Sequence, residues 1–400
     1  MIAGEDNAKK NILIVHNYYQ IPGGEDTVVA NEKKMLENYG HKVVLYSRNN
    51  SELRQMSKLQ KLALPLTTVF NPRTYREVKR LIREEEIDIV HVHNTLNLIS
   101  PSVYYAARLM NVPVVQTIHN FRLLCPGATF YRDGHICEDC VSKGLGCALR
   151  HNCYRNNKLQ TLICVVSTKI HRMTGIYGKI NYICLTEFNK EKLLLLNQLE
   201  KHTIIHSGSI FIKPNFTYEG YSCQSRDYYL FIGRIERIKG LDVLIEAFSG
   251  ILDVKLKIVG IGTDLENYKM RASKCRNIEF EGFMNRDSLN SMLSHAKAVI
   301  VASQWYETFG MVIGEAYASR VPVITGDIGN IGILVEDGVT GFKFQYDSAL
   351  DLKAVIERFE QLSDEQIRNM GENAYNRYVN EFSEKKNYEM LLKIYDSVNG

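Results

Sequence analysis

The sequence lacks any run of apolar residues approaching the roughly 20 that a membrane-spanning helix needs. Its N-terminus contains no apolar stretch of the kind that marks a signal peptide, and the chain has no tandem repeat and no low-complexity segment. These absences exclude a membrane-spanning protein and a repeat array, and we expect a cytoplasmic protein. The 45% hydrophobic and 24% charged residues are ordinary for a globular protein. At about 100–200 residues per domain, 400 residues predict two domains.

Acidic residues are scarce in one part of the chain. Residues 101–180 hold ten Lys/Arg against three Asp/Glu, and residues 1–200 hold 26 against 18, whereas residues 201–400 hold 23 against 27. Apolar runs such as residues 159–166 interrupt this positive segment. Attraction to an anionic membrane surface would explain the pattern and would place the protein peripherally at the inner face of the cell membrane. The alternative is a solvated surface without a partner, and no motif favours nucleic acid.

Strands that alternate with helices predict the fold class. Apolar, β-branched runs predict strands at residues 11–16, 41–46, 87–93, 112–119, 180–186, 228–234, 254–260, 278–283, 296–303 and 321–325. A helix is expected from about Val28 and another over residues 239–249. This alternation indicates an α/β protein with two Rossmann-like, doubly wound parallel-sheet domains facing across a cleft. We expect domains over residues 1–205 and 206–383, and a final helix over residues 384–400 that crosses back to the first domain.

Two carboxylates eight positions apart, Glu307 and Glu315, enclose the segment E-T-F-G-M-V-I-G-E. A predicted buried strand precedes this segment, and small and apolar residues follow Gly310 at helical spacing. Glu307 is therefore expected in a loop at the carboxyl end of a strand, where open α/β sheets bind ligands, and Glu315 in the next helix. The free N–H groups of Gly310 and Met311 at the helix start suit a phosphate. This stretch can bind a sugar, a diphosphate and a ribose at once.

Five of the nine cysteines lie within residues 125–153. Cys137 and Cys140 have the spacing of half a tetrahedral zinc site. A reducing cytosol disfavours disulfides, and a loop-rich insertion without its own core often needs a metal staple. We predict a structural zinc bound by Cys125, Cys137, Cys140 and Cys153, and the alternative is a set of free buried thiols. Four thiolates would leave no open coordination position for catalysis.

The second half of the chain resembles the retaining glycosyltransferases of family 4, of the polysaccharide and capsule biosynthesis type. The resemblance runs from Phe231 to about Phe344, through F-I-G-R-I-E-R-I-K-G, I-V-G-I-G, E-G-F, the paired glutamates, V-P-V-I-T-G-D-I-G-N and D-G-V-T-G-F. The first half matches more loosely, through the Gly-Gly loop after the first strand, T-I-H-N at 117–120 and K-P-N-F at 213–216. The resemblance implies the two-domain GT-B fold, a nucleotide-sugar donor in the second domain, an acceptor in the first, and retention of the anomeric configuration.

No Asp-x-Asp motif occurs in the sequence, so the usual ligands of a metal that holds the donor diphosphate are missing. Positive side chains must then stabilise the charge that develops on the leaving group. Arg234 follows a predicted strand, and Lys239 lies five residues further on, near a helix start. Arg can bind phosphate oxygens with its planar fork, while Lys acts as a point charge. We predict that both contact the diphosphate without a metal cofactor, and the alternative is a surface loop.

The resemblance implies a site made from both halves of the chain. Its catalytic residues are Arg234, Lys239, Glu307 and His119, and His119 is expected to face the donor sugar or its phosphates. The residues expected to bind the donor are Gly23, Gly24, Gly233, Gly282, Phe283, Thr308, Phe309, Gly310, Met311 and Glu315. His93, Glu25 and Asp26 are further candidates, although the two carboxylates can also complement a helix N-terminus. No general base is implied, because the leaving phosphate is thought to take the acceptor's proton.

The leading hypothesis is an enzyme that moves a hexose or deoxyhexose from a UDP-, GDP- or dTDP-sugar to a glycan acceptor. The basic first half favours a polyprenyl-linked acceptor, as in capsule, O-antigen or exopolysaccharide assembly. One alternative is a nucleotide-sugar epimerase of the same architecture, although its first-half catalytic carboxylates are not evident. Another is a non-catalytic sugar-nucleotide or membrane-binding partner of a transferase. Such a partner would not need the positive residues predicted to contact the diphosphate, which argues against it.

Overall fold

A computed structural model describes residues 9–20, 23–197 and 226–399, together with 199, 203, 205–207 and 212. The chain divides into two compact units. The first unit comprises Met1–Thr129, Glu138–Phe211 and Asn387–Gly400, and the second comprises Phe130–Cys137 and Ile212–Lys386. The boundaries between the two units thus fall at 211/212 and 386/387, whereas the sequence predicted domain boundaries at 205/206 and 383/384. The K-P-N-F segment lies outside the described residues.

The two kinds of element alternate along most of the described chain. The strands are β1 (Asn11–Tyr18), β2 (Lys42–Asn49), β3 (Ile89–Asn94), β4 (Val114–Thr117), β5 (Tyr131–Arg132), β6 (His135–Ile136), β7 (Asn181–Cys184), β8 (Ile205–Ser207), β9 (Tyr228–Ile232), β10 (Lys255–Val259), β11 (Ile278–Gly282), β12 (Ala296–Val301), β13 (Val323–Gly326) and β14 (Gly341–Phe344).

The α-helices account for most of the remaining regular structure. They are α1 (Gly24–Asn38), α2 (Glu52–Gln55), α3 (Lys58–Val69), α4 (Pro72–Glu84), α5 (Ser102–Leu109), α6 (Asp139–Ser142), α7 (Gly146–Arg150), α8 (Lys158–Met173), α9 (Glu187–Leu194), α10 (Leu241–Ser249), α11 (Leu265–Arg271), α12 (Arg286–Ser294), α13 (Met311–Ala318), α14 (Gly329–Leu334), α15 (Ala349–Glu360), α16 (Asp364–Arg377) and α17 (Glu384–Asn399). Among the described residues, no helix is both long and apolar enough to cross a membrane.

The first unit is built on a parallel sheet in the order β2-β1-β3-β4-β7-β8. Apolar side chains of its strands, such as Ile12 and Ile89, pack with Val29 of α1 and with Leu391 and Tyr395 of α17. The end of α17 therefore belongs to the core of this unit. The direction of winding reverses between β1 and β3, and such a switch point opens a crevice at the carboxyl ends of the strands.

The second unit repeats this design with a parallel sheet in the order β11-β10-β9-β12-β13-β14. Numbered within this sheet alone, the order is 3-2-1-4-5-6, the strand order of a dinucleotide-binding Rossmann sheet. Its core includes Leu256 and Ile300 on the strands and Leu244, Phe248 and Phe359 on the helices. The switch point lies between β9 and β12. The predicted pair of Rossmann-like, parallel-sheet domains is confirmed.

Two details of the structure differ from the prediction. Helix α1 begins at Gly24 rather than near Val28, because the Asp26 carboxylate accepts the Gly23 N–H at 2.9 Å and caps the helix start. The prediction also placed the whole cysteine-rich insertion with the first domain, whereas Phe130–Cys137 belongs to the second unit. There the Phe130 ring makes an edge-to-face contact with Tyr306, at 6.3 Å between centroids.

Candidate active site

Two loops of the second unit meet at the switch point of its sheet. The loop after β9 carries Lys239, and the loop after β12 carries Glu307. The Gln304 N–H donates to the Ile238 carbonyl oxygen at 2.8 Å and joins the two loops. Gly240 allows this approach, since its φ is +74° and a Cβ there would lie 1.8 Å from the backbone carbonyl oxygen that follows β12. The sheet topology thus brings the two side chains to one place.

Lys239 and Glu307 form a largely buried ion pair. Lys239 Nζ lies 2.7 Å from Glu307 Oε1, and the two side chains are only 18% and 14% exposed. The Ser303 hydroxyl donates to the same carboxylate oxygen, and the Asn330 amide donates to the Glu307 backbone carbonyl. The Lys239 ammonium also lies 5.6 Å from the centroid of the Trp305 ring. These contacts fix the ammonium and the carboxylate in one arrangement.

The charges around this pair keep Glu307 ionised. Burial raises the pKa of Glu307, but the charge and hydrogen bond of Lys239, the Ser303 hydroxyl and the charge of Arg234 lower it, and the net pKa lies below its usual value. Arg234 itself is exposed, and its Nη1 lies 3.1 Å from Glu236 Oε1. The structure therefore gathers Arg234, Lys239 and Glu307 around one loop cluster.

Helix α13 starts directly after this cluster. Gly310 precedes its first turn with a φ of +94°, so a residue with a side chain would be strained there, and Met311 is the first helical residue. Glu315 lies in the second turn and is partly buried. Burial raises the pKa of Glu315, and Arg286 opposes this. Within the described part of the chain, the Glu315 carboxylate has no hydrogen bond or ion pair, so it can accept bonds from a ligand.

The remaining predicted donor residues line the same edge of the sheet in different ways. Gly233 follows β9, and its N–H donates to the Val259 carbonyl oxygen at 3.1 Å. Gly282 ends β11 with a φ of +72° and open space around its Cα, and Phe283 beside it is 74% exposed. Thr308 and Phe309 continue the Glu307 loop. The Phe309 side chain is 3% exposed and packs edge-to-face on the Phe382 ring, so only its backbone faces the loop.

Ser303, Trp305 and Asn330 surround the ion pair but were not singled out from the sequence. Trp305 is the one tryptophan of the chain, and its Nε1 is buried without a hydrogen-bond partner among the described residues. A single tryptophan two residues before a predicted sugar-binding glutamate was the available signal. Ser303 and Asn330 gave no such signal, since their contacts depend on loop geometry.

In the first unit, the predicted His119 belongs to a chain of buried polar groups. His119 follows β4, and its Nε2 lies 2.9 Å from Nδ1 of His93 in β3. His93 Nε2 lies 3.2 Å from Glu32 Oε1, and His91 Nδ1 lies 2.9 Å from the same oxygen. Glu32, on α1, was not predicted. It is 7% exposed, and its carboxylate connects α1 with two residues of β3.

The protonation states of these histidines and of Glu32 follow from the burial and charge of their surroundings. Burial lowers the pKa of His93 to about 4 and the pKa of His119 well below its usual value, so both rings are neutral near pH 7. Burial raises the pKa of Glu32, but His91 and His93 lower it further, and the net pKa is below its usual value. His93 Nδ1 and His119 Nε2 share a hydrogen bond, in which one of the two nitrogens carries the proton.

The Gly-Gly loop of the first unit is held by structural contacts. Gly23 precedes α1, Gly24 begins it, and the Asp26 carboxylate accepts both the Gly23 N–H and, at 2.7 Å, a bond from His16 Nε2. Asp26 is therefore a helix cap. Glu25 differs, since burial raises its pKa to about 8, and its carboxylate accepts the Asn94 amide at 3.0 Å.

A cavity of the first unit lies beside the histidine chain. His93 and His119 line it together with Arg122 and with Ser167 and Thr168 of α8. The Arg122 guanidinium donates to a backbone carbonyl at 3.2 Å, and its Nε is buried without a partner among the described residues. Sequence reasoning missed Arg122, because nothing in the local sequence distinguishes it from a surface arginine.

The predicted zinc ligands do not form a ready-made metal site. Cys140, Cys147 and Cys153 pack in one small apolar cluster, and burial, followed by the nearby Cys125, raises the pKa of Cys140 to about 12. Cys137 belongs to the second unit. Among the described residues, the group of metal-capable side chains whose ligand atoms lie within 4.8 Å of one another is Glu32, His91 and His93. The structural zinc stays a prediction.

Two family models match the chain. The model described as "Glycosyl transferases group 1" matches residues 223–377, and the model described as "Glycosyltransferase Family 4" matches residues 22–135. They cover the parts of the chain that hold the two switch points.

Similar proteins and structures point the same way. The alpha-D-kanosaminyltransferase of Streptomyces kanamyceticus is 31% identical over 164 residues, which are 39% of this chain and 42% of that enzyme. The O-antigen biosynthesis glycosyltransferase WbnH of Escherichia coli is 24% identical over 244 residues, which are 60% of this chain and 67% of that protein. The chain thus spans less than half of the first relative and about two thirds of the second.

A solved structure of the Anabaena protein HepE in complex with UDP-glucose is 16% identical, has a TM-score of 0.66, and covers 97% of this chain and 100% of its own. This likeness shows the GT-B fold. The two family models give the chain a glycosyltransferase family 4 domain in its first half and a group 1 glycosyltransferase domain in its second.

Proposed function

We propose that the protein transfers a hexose or deoxyhexose from a nucleotide sugar to a glycan acceptor. The observation that carries this proposal is the buried Lys239–Glu307 ion pair beside Arg234, at the switch point of the second sheet. An ionised carboxylate there can accept sugar hydroxyls, and two cations can bind phosphate oxygens. The HepE neighbour was solved with UDP-glucose, which supports a donor of this class.

The cations act on the leaving group. Transfer breaks the bond between the anomeric carbon and a diphosphate oxygen, so negative charge grows on the nucleoside diphosphate. The Lys239 ammonium is already held in a water-poor position, where it acts on this charge without reorganising. Arg234 is exposed and bonded only to Glu236 among the described residues, so a phosphate can replace that partner. With the N–H groups of Gly310 and Met311, these charges take the place of a divalent ion.

The nucleoside would bind beside α13. The Glu315 carboxylate has no protein partner in the described chain and is partly buried, which suits two ribose hydroxyl donors. The exposed Phe283 ring, at the end of a strand of the same sheet, offers a stacking surface for a base, with Gly282 leaving the adjoining backbone open. Neither feature distinguishes uracil from guanine or thymine.

The acceptor would bind in the first unit. The neutral His119 ring lies on the cavity that Arg122 also lines, and such polar side chains suit the hydroxyl groups of a sugar. We propose retention of the anomeric configuration, with the acceptor's proton passing to the leaving phosphate on the same face. The basic first half supports a lipid-linked acceptor, and the WbnH relative takes part in O-antigen biosynthesis.

A donor screen tests this proposal. Purified protein is titrated calorimetrically with UDP-, GDP- and dTDP-sugars, and the preferred donor is then followed by proton NMR with EDTA present. We expect one donor class to bind and to be hydrolysed slowly, releasing first the sugar anomer of the donor's own configuration. Failure of all three classes to bind would overturn the proposal, inversion would overturn retention, and a return of activity only with a divalent ion would overturn the metal-free clamp. Conversion to an epimeric nucleotide sugar would establish the epimerase alternative.

A further inference from the structure

Helices α3 and α8 of the first unit carry large apolar side chains on their outer faces. Leu59, Leu62 and Leu66 of α3 are 76–79% exposed and occur at spacings of three and four residues. The exposed residues of α8 follow the same helical spacing: Leu159, Leu162, Val166, Ile170 and Met173. A group of eight exposed apolar side chains on two neighbouring helices is the kind of surface that marks an interaction site.

Helix α8 has a mainly polar buried face and a mainly apolar exposed face. Its buried residues are Thr161, Ser167, Thr168 and His171 together with Cys164 and Val165, whereas its exposed residues are the five apolar ones and two lysines. A helix that only packs on a soluble core shows the opposite arrangement. The polar inner face includes Ser167 and Thr168, which line the cavity that contains His93 and His119.

The two helices are joined at their C-terminal ends. His171 Nε2 of α8 donates to the backbone carbonyl oxygen of Val69 in α3 at 2.9 Å, and His171 Nδ1 lies 2.9 Å from the Tyr105 hydroxyl. Burial lowers the pKa of His171, which keeps the ring neutral and suits one donor and one acceptor nitrogen. The two helices therefore lie side by side, and we call their exposed apolar residues together the α3–α8 face.

The charged residues of the two segments that carry the α3–α8 face have a single sign. Residues 53–76 contain five Lys/Arg and no Asp/Glu, and residues 140–186 contain seven Lys/Arg and no Asp/Glu. On the helices themselves, Lys58, Lys61, Lys158 and Lys169 are exposed. An acidic partner surface fits this charge, and an apolar interior fits the leucines. A bilayer with anionic head groups offers both.

We propose that the α3–α8 face docks the protein on a bilayer that contains anionic lipid. Its apolar side chains enter the boundary between head groups and acyl chains, and its lysines contact the head groups. The opposite side of α8 lines the cavity that holds His119, so docking would bring a lipid-linked sugar near the proposed acceptor site. This link to the acceptor rests on the proposed function, but the docking itself does not.

Flotation of the full chain with vesicles tests the docking. Vesicles of phosphatidylcholine alone are compared with vesicles that contain about one third phosphatidylglycerol, at low and at high salt. We expect most of the protein to float with the anionic vesicles at low salt, and at least a fivefold smaller fraction to float with neutral vesicles or at high salt. Flotation that ignores lipid charge, or no flotation, would overturn the proposal.

A matched pair of variants locates the surface. The triple variant Leu62→Ser, Leu66→Ser, Met173→Ser changes side chains that are at least 76% exposed, so the fold should survive, and circular dichroism checks this. The control, Leu252→Ser with Leu350→Ser, changes two leucines of the second unit that are equally exposed. We expect at least a fivefold loss of flotation for the triple variant and none for the control. Equal flotation of the triple variant and the wild type would overturn the assignment.

Two further readouts distinguish membrane docking from self-association and from damage to the donor site. Light scattering of wild type and triple variant measures self-association, and a wild-type dimer that the triple substitution abolishes would show that the face binds a second copy instead. Donor hydrolysis in solution should be unchanged in the triple variant, since none of its residues contacts the donor loops. Lost flotation with intact hydrolysis supports docking by this face, whereas an inactive wild type that still floats contradicts only the proposed function.

Discussion

Replacement of Lys239 by methionine tests the buried ion pair. Methionine keeps the length and apolar contacts of the side chain but leaves the Glu307 carboxylate, 14% exposed, without its counter-charge. Removing one partner of a buried pair typically costs about 3–5 kcal/mol. The Ser303 hydroxyl and the more distant Arg234 still favour the ionised form here. We therefore expect a loss of about 3 kcal/mol in the free energy of unfolding at pH 7, measured by urea denaturation.

The pH dependence of this loss has a definite sign. In the wild type the net pKa of Glu307 lies below its usual value, so the pair contributes stability above the usual carboxyl pKa and loses it as the pH falls through the lowered one. In Lys239→Met, burial dominates and raises the pKa of Glu307, so the carboxyl group takes up a proton at a higher pH. The difference in the free energy of unfolding between the wild type and Lys239→Met should therefore become smaller as the pH falls from 7 to 5.

The double variant Lys239→Met, Glu307→Gln separates stability from catalysis. Replacing both partners by neutral groups of similar shape removes the uncompensated charge, so most of the lost stability should return. Turnover should not return, because the leaving diphosphate would still lack its ammonium. Loss of a group that stabilises developing charge typically costs about 100- to 1,000-fold in kcat. If Lys239→Met unfolds at the same urea concentration as the wild type and turns over normally, neither the buried ion pair nor the role of the ammonium in catalysis is correct.

Three further experiments test other groups in the two units. Glu315→Gln should raise the Kd for the nucleoside diphosphate about tenfold or more with little change in unfolding, and an unchanged calorimetric Kd would contradict a role in ribose binding. Glu32→Gln removes the charge 3.2 Å from His93 Nε2, so it should change the ¹⁵N chemical shifts of His93 and His119 and reduce kcat about tenfold. Glu32→Asp keeps the charge and should restore part of the wild-type shifts. Identical shifts in all three proteins would show that Glu32 does not position the rings. Metal analysis of purified protein should find about one zinc per chain, released only on unfolding. A stable preparation without metal would contradict the predicted structural zinc.

Much of the second unit could be predicted from its sequence, because buried parallel strands are continuous apolar runs. The strand observed at Ala296–Val301 lies within the predicted 296–303, and Tyr228–Ile232 lies within 228–234. The short strand Gly341–Phe344 was missed, because four residues with a lysine among them show no clear period. The position of Phe130–Cys137 was also beyond prediction, since cysteine spacing carries no information about which domain a loop packs on.

The two sites differ in how many of their residues could be predicted from the sequence. Arg234, Lys239 and Glu307 were found because each follows a strand of one predicted sheet, and parallel strands end at the same edge. Glu32 could not be found this way. It lies on a helix, some 60 residues before His91 and His93, and only the packing of α1 on β3 brings its carboxylate between them.

The α3–α8 face sets a different limit on sequence reasoning. The spacing of apolar residues in 158–173 predicts an amphipathic helix, and the usual assumption is that the apolar side faces the core. In the structure most of the apolar side chains face outward and only Cys164 and Val165 are buried. The reason is that Thr161 bonds the backbone of Tyr154 and Asn157, and His171 bonds Val69 and Tyr105, so the polar side has its partners inside the protein. A buried polar face satisfied by such contacts costs little, and the leucines are left outside. Periodicity therefore gives the two sides of a helix, and only the hydrogen-bond partners of its polar side show which one faces the solvent or a membrane.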